Sequence, residues 1–239
     1  MHPHTTDLPR PAGTAAPVLS GRGLAKRYGD QHALAGVDID VRAGDAVAIV
    51  GPSGSGKTTL LHVLAGIVRA DAGAIHLGGT RIDQLGETRR SELRRTEFGF
   101  VFQSGMLVAE LTAEENAALP LLLGGASRRA ALTAAREWLD RLGLRGKERR
   151  RPGELSGGEA QRVAIARSLA HRPKVIFADE PTGALDSRTG RDTMGALLAA
   201  AAETGAAVLV VTHDRELADS VPSRVAIRDG RIDTVGAAA

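Results

Sequence analysis

The chain is most constrained by one octapeptide. Gly51-Pro52-Ser53-Gly54-Ser55-Gly56-Lys57-Thr58 follows a continuous apolar run, Ala46 to Val50. It precedes a stretch in which Leu60, Leu64, Ile67 and Val68 share one face at 3.6-residue spacing. An uninterrupted apolar run of strand length suits a strand buried on both faces of a parallel sheet. A glycine-rich turn from such a strand into a helix predicts an α/β core.

The composition of the turn points to phosphate. The spacing Gly, four residues, Gly-Lys-Thr, set between strand and helix, lets backbone N–H groups wrap an anion at the helix N-terminus. Gly51, Pro52, Ser53, Gly54, Ser55, Gly56 and Thr59 are binding candidates on this reading. Lys57 supplies a cation for the β and γ phosphates, and the Thr58 hydroxyl is placed to ligate Mg²⁺. A second apolar run, Val175 to Ala178, ends in Asp179-Glu180. At the carboxyl edge of a parallel sheet, Asp179 suits the metal shell and Glu180 suits a base for the attacking water.

The rest of the chain alternates in the same manner. Val37, Ile39 and Val41 alternate with Asp38, Asp40 and Arg42, and Ile75 and Leu77 repeat the period of two. Thr112 and Glu115 form a capping-box pair opening a helix that ends near Gly124 and Gly125. Ala131, Ala135, Trp138, Leu139 and Leu142 then mark a second amphipathic helix, stopped at Gly143. Helices over Val163–Leu169 and Thr193–Ala202 separate strands at Lys174–Ala178 and Ala206–Thr212. Asp229-Gly230 signals a hairpin between Val225–Arg228 and Arg231–Val235. Lys147 to Arg151, and Arg89, Arg90, Arg94 and Arg95, read as solvated surface.

Composition limits the alternatives. Lys and Arg number 31 against 28 Asp and Glu, a net charge of +3 that does not make a nucleic-acid binder, and no nucleic-acid partner is expected. Cysteine is absent, which excludes disulfides, thiolate metal sites and a cysteine nucleophile. No stretch approaches the roughly eighteen apolar residues of a membrane span. Residues 1–17 and 236–239 read as tails around one domain at 18–235, with a helical insertion near 104–160.

Leu155-Ser156-Gly157-Gly158-Glu159-Ala160-Gln161-Arg162 resembles the signature motif of ATP-binding-cassette (ABC) ATPases, and Phe102-Gln103 their Q-loop. The motif order also agrees, from Tyr28 through the phosphate loop, Gln103, the signature and Asp179-Glu180 to Gly183-Ala184-Leu185-Asp186 and Thr212-His213-Asp214. The resemblance implies a P-loop NTPase (RecA-like) core with an antiparallel β subdomain and an inserted α-helical subdomain. It implies that Tyr28 stacks on adenine, Gln103 senses metal or γ-phosphate, and His213 helps organise the attacking water. Asp186 is then an interface residue, and Ser156, Gly157, Gly158 and Glu159 form a second ATP-binding surface. ATP and Mg²⁺ are the implied cofactors, and a second copy of the chain, packed head to tail, the implied partner.

Phe98 to Gln103, Leu111 to Asn116 and Pro181 to Ser187 further resemble the ATP-binding subunits of lipoprotein-releasing and macrolide-exporter-type systems. That branch implies an active ATPase held at the cytoplasmic face of the membrane by a separate permease. No long regulatory domain is expected after the last hairpin. A cell-division-type or other non-transport mechanical or regulatory cassette is the alternative.

Overall fold

The computed structural model describes residues 16–237. The tail expected over residues 1–17 therefore lies, up to residue 15, outside the described residues. Two sheets share the chain. An antiparallel sheet is built from β1 (Leu19–Tyr28), β2 (Gln31–Val41), β4 (Ala72–Leu77) and β5 (Thr80–Arg81), in the order β2-β1-β4-β5. The larger sheet contains β3 (Ala46–Val50), β6 (Phe98–Phe102), β7 (Val175–Asp179), β8 (Ala207–Val211), β9 (Ser223–Arg228) and β10 (Arg231–Ala237). Its order is β10-β9-β3-β8-β7-β6, parallel from β9 to β6. β10 closes it antiparallel across Asp229-Gly230, whose φ values of 48° and 72° fit the predicted hairpin turn.

Alternation along the central strands divides the apolar interior in two. Val175, Phe177, Ala207, Leu209 and Val211 join Leu60, Leu61 and Leu64 of α1 (Lys57–Leu64) and the inward residues Val37, Ile39, Val41 and Ile75 of the antiparallel sheet. Ile176, Ala178, Val208 and Val210 face the helices instead. There they meet α3 (Ala113–Leu123), α4 (Arg128–Arg141), α5 (Gly157–Leu169) and α6 (Ser187–Thr204). Two-sided burial explains why these strands read as unbroken apolar runs.

The helical block forms as its end signals dictate. Thr112 and Glu115 make the reciprocal capping box, and Gly124 caps the far end of α3. Ala131, Ala135, Trp138 and Leu139 are the buried face of α4. α5 runs unbroken through residue 160, so the block grades into the core at that point rather than ending there.

Three expectations need correction. α1 stops at Leu64, because Gly66 adopts φ 64° and turns the chain; Ile67, expected on the buried face, is 42% exposed. In α2 (Glu87–Thr96), Arg90 is buried with an ion pair to Glu87, and Arg94 donates to the Gly66 carbonyl at 2.8 Å. These two arginines tie α2 to the core instead of facing solvent. The basic loop at 147–151 keeps Arg149, Arg150 and Arg151 exposed as expected, while the main-chain carbonyls of Arg150 and Glu148 accept the α3 amides of Ala113 and Glu114 at 2.7 and 2.9 Å. Finally, β10 continues through Ala237, pairing residues expected to begin a tail.

Candidate active site

The site is assembled from loops that leave the carboxyl ends of β3, β6, β7 and β8, the edge where α/β sheets bind ligands. Beyond β3 the glycine-rich turn is packed too closely at Gly51 and Gly56 to admit side chains there. A Cβ on Gly51 would lie 2.1 Å from the Ile227 carbonyl oxygen, and one on Gly56 would lie 2.2 Å from that of Ala33. Both glycines have positive φ, 153° and 105°. Pro52, Ser53 and Gly54 are exposed, whereas the Ser55 hydroxyl is buried without a protein partner. Lys57 curls back over the turn, its Nζ donating to the carbonyls of Gly51 at 3.0 Å and Pro52 at 2.8 Å.

Thr58, one residue into α1, donates from Oγ1 to Asp179 Oδ1 at 3.2 Å. Burial pushes the Asp179 carboxyl above its ordinary pKa, although the Thr58 hydroxyl, His62 and Lys57 favour its anion; the neighbouring Glu180 carboxylate adds to the rise. Glu180 itself has φ 48°, a left-handed conformation unusual for its type, and its amide donates to the Val211 carbonyl at 2.9 Å. Its Oε1 lies 2.9 Å from His213 Nδ1.

Two adjoining clefts meet at Thr58 and Glu180. One is lined by Tyr28, Gln31, Ala33, Ser53, Gly54 and the run from Gly56 to Thr59; the other by Gln103, Ser104, Asp179 and Ala184. Tyr28 presents an exposed ring with Lys26 Nζ 5.5 Å from its centroid. Gln103 packs beside Gly183, where a Cβ would stand 2.9 Å from Gln103 Nε2.

The signature residues line neither cleft. Ser156 caps α5, its Oγ accepting from the Glu159 amide at 3.3 Å while Glu159 Oε2 accepts from the Ser156 amide at 2.9 Å. Lys147 ion-pairs with the same carboxylate. Its hydrogen bond, followed by that of the Ser156 amide, lowers the Glu159 pKa. Gly157 and Gly158 let α5 approach α6: a Cβ on Gly158 would come within 2.4 Å of Thr189 Cγ2. Asp186 caps α6 by accepting from the amides of Arg188 and Thr189 at 3.1 and 3.0 Å, and it too stands apart from the clefts. A single chain thus gathers Lys57, Thr58, Gln103, Asp179, Glu180 and His213 and leaves the signature elsewhere.

Sequence reading missed His62, whose Nε2 is 3.9 Å from Asp179 Oδ2. Its place four residues after Thr58, on the same helical face, is the signal that could have found it.

Comparison with known proteins agrees with this geometry. Residues 34–183 match the family of ABC transporters. A lipoprotein-releasing system ATP-binding protein, LolD 2 of Caulobacter vibrioides, is 46% identical over 91% of this chain and 97% of its own length. A macrolide export ATP-binding/permease protein, MacB of Nitrosomonas europaea, is 43% identical over 95% of this chain, which spans only 34% of that protein. The dimeric post-hydrolysis structure of the ATP-binding cassette MJ0796, bound to ADP and Pi, superposes with a TM-score of 0.82 at 35% identity, covering 92% of this chain and 99% of that one. With its phosphate loop and acidic strand end in adjoining clefts and a histidine bonded to Glu180, the chain belongs to the ABC transporter family, in the branch that holds these lipoprotein-releasing and macrolide-export ATP-binding proteins.

Proposed function

We propose that two copies of this chain close head to tail on two molecules of ATP and that their closing and reopening drives a separate membrane permease. The observation that carries this reading is the separation within one chain: the catalytic candidates line two adjoining clefts or bond to their lining, while Ser156 and its glycines lie at the N-terminus of α5 outside both. Backbone N–H groups at that terminus suit the phosphates of a nucleotide bound to the other copy. ATP then supplies contacts that exist only in the closed state, and hydrolysis removes them.

Within each cleft Lys57 and the loop amides hold the β and γ phosphates, and Tyr28 stacks on the base. Glu180 orients the attacking water and accepts its proton, and His213 fixes the Glu180 carboxylate. Gln103 reaches the γ-phosphate from β6. Thr58 and Asp179 fit a magnesium ion: two hard oxygen donors converge, and the burial that disfavours the Asp179 anion is offset by a cation. No group of three or more His, Cys, Asp or Glu ligands occurs among the described residues, which suits an ion whose remaining ligands are phosphate and water oxygens. When bound, magnesium neutralises charge on the phosphate oxygens.

No helix among the described residues is long and apolar enough to cross a membrane, so a permease is proposed as a separate subunit holding this chain at the cytoplasmic face. Its contact surface is the open groove over Phe100, Phe102, Met106 and Leu123, the last two 62% and 68% exposed. The relatives' names support export or extraction of a lipophilic, peptide or antibiotic-like substrate.

The test is complementation. Lys57→Ala and Ser156→Arg chains are each inactive alone and, mixed, recover about a quarter to half of the rate through one intact composite site. No recovery from verified mixed dimers would refute head-to-tail sharing.

A further inference from the structure

Gln103 lies in a four-residue turn, 103–106, between β6 and the helical block. One end of this turn faces the nucleotide cleft through Gln103; the other puts Met106 into the apolar groove. The turn has one hydrogen bond of its own, the Gly105 amide donating to the Phe102 carbonyl at 3.0 Å, but its backbone is strained. Gly105 and Met106 both have positive φ, 66° and 47°, and Met106 has no glycine's freedom to adopt it.

The side-chain bonds that fasten the turn come from α5. Arg167 donates from Nη2 to the Gly105 carbonyl at 2.6 Å and from Nη1 to that of Met106 at 2.8 Å. Nearly two turns earlier on the same helix, Gln161, 3% exposed, donates from Nε2 to the Phe102 carbonyl at 2.9 Å. The guanidinium is half-buried and its acceptors are main-chain carbonyls, so burial pulls its pKa below the ordinary arginine value. A desolvated cation with two aligned acceptors strongly favours the geometry that keeps both. The fork is essential, since a single ammonium cannot reproduce two directed N–H groups. The helix that grips the turn is the one whose N-terminus is Ser156.

We propose that Arg167, seconded by Gln161, is a positioning residue that fixes Gln103 toward the nucleotide and joins it to the signature helix, so that pressure on Met106 in the groove moves both together. The proposal rests on the reading of Gln103 as a residue facing the γ-phosphate. It gives that residue a mechanical connection that the Q-loop position alone does not contain.

The test uses the purified full chain with Mg-ATP. Arg167→Met lowers kcat about tenfold with KM for ATP within about twofold, because a nucleotide-facing group is misplaced while the phosphate loop is intact. Arg167→Lys falls between that variant and the parent. Amide hydrogen exchange accelerates over residues 103–106 in both and is unchanged over 51–58. Parental kcat in Arg167→Met, or a slow variant whose 103–106 amides exchange as in the parent, would overturn the proposal. Should Arg167→Met fail to fold, Arg167→Lys decides the matter by the same two measurements. Gln103→Ala separates the two ideas: loss of rate there but not in Arg167→Met removes the clasp alone, while parental rates in both remove the reading of Gln103 beneath it.

Discussion

Glu180 and His213 meet across the strand ends, with Oε1 and Nδ1 2.9 Å apart. They come from loops after neighbouring strands β7 and β8, and the left-handed turn at Glu180 is tied down by its own amide bonding to Val211. A carboxylate placed by strain and oriented by an imidazole is built to hold a water in one position. Glu180→Gln keeps the shape but not the basicity. It is predicted to bind ATP within about threefold of the parent and to lose at least about a hundredfold in kcat, measured by steady-state hydrolysis and equilibrium nucleotide binding.

Asp179 has its folded-state pKa raised above the ordinary carboxyl value of 3.8, with burial the largest cause. A raised folded pKa gives stability that is complete below the unfolded pKa and is lost as pH climbs through the folded one. In the nucleotide-free chain at neutral pH, the buried anion is therefore a cost. Asp179→Asn is predicted to melt higher than the parent at pH 7 and to match it below about pH 3.8, while losing hydrolysis. Equal melting temperatures at pH 7 would contradict the assignment.

His171 works in the opposite sense. Its Nε2 donates to the Phe98 carbonyl at 3.0 Å, and its Nδ1 is buried with no partner. Burial depresses its pKa below 6.5, outweighing the Phe98 carbonyl and Glu97, which favour the cation. The stability it gives is complete above pH 6.5 and declines as pH falls through the folded value. His171→Gln keeps a donor for Phe98 without the titration. Its thermal stability is predicted to fall less steeply than the parent's between about pH 6.5 and pH 5.

Gly183 leaves room for Gln103. A Cβ there would stand 2.9 Å from the end of a flexible side chain, not from backbone, so the collision is relieved by moving the glutamine. Gly183→Ala is predicted to change stability by less than about 1 kcal/mol yet to lower kcat several-fold, a split read by thermal melts beside steady-state kinetics.

Much of this was legible in the residues, and the exceptions share a physical cause. The phosphate turn, the capping box at Thr112 and the Asp229-Gly230 hairpin are local, each specified by a few adjacent side chains, and each formed where its pattern lies. Lys57, Thr58, Asp179 and Glu180 were legible because strand ends of one parallel sheet bring distant motifs to one edge, whereas His213 was singled out by the family resemblance alone. The end of α1 was misjudged because Gly66 acts through backbone conformation, while the apolar pattern runs on to Val68. Arg90 and Arg94 read as surface charge in sequence and nothing there singles out Arg167; only the packing of α2 and α5 buries Arg90 and brings main-chain carbonyls to Arg94 and Arg167. The role of Gly183 was hidden likewise, since the side chain that fills its space comes from a loop eighty residues away.

The central claim is that nucleotide joins two copies of this chain, each completing the other's pocket. Light scattering of Glu180→Gln tests it most directly. The account predicts a monomer without nucleotide, a twofold rise in mass with Mg-ATP, and reversal of that rise when Ser156→Arg is added to the same chain. A monomer at saturating Mg-ATP, or a parental chain that hydrolyses ATP at full rate when diluted to obligate monomer, would contradict it.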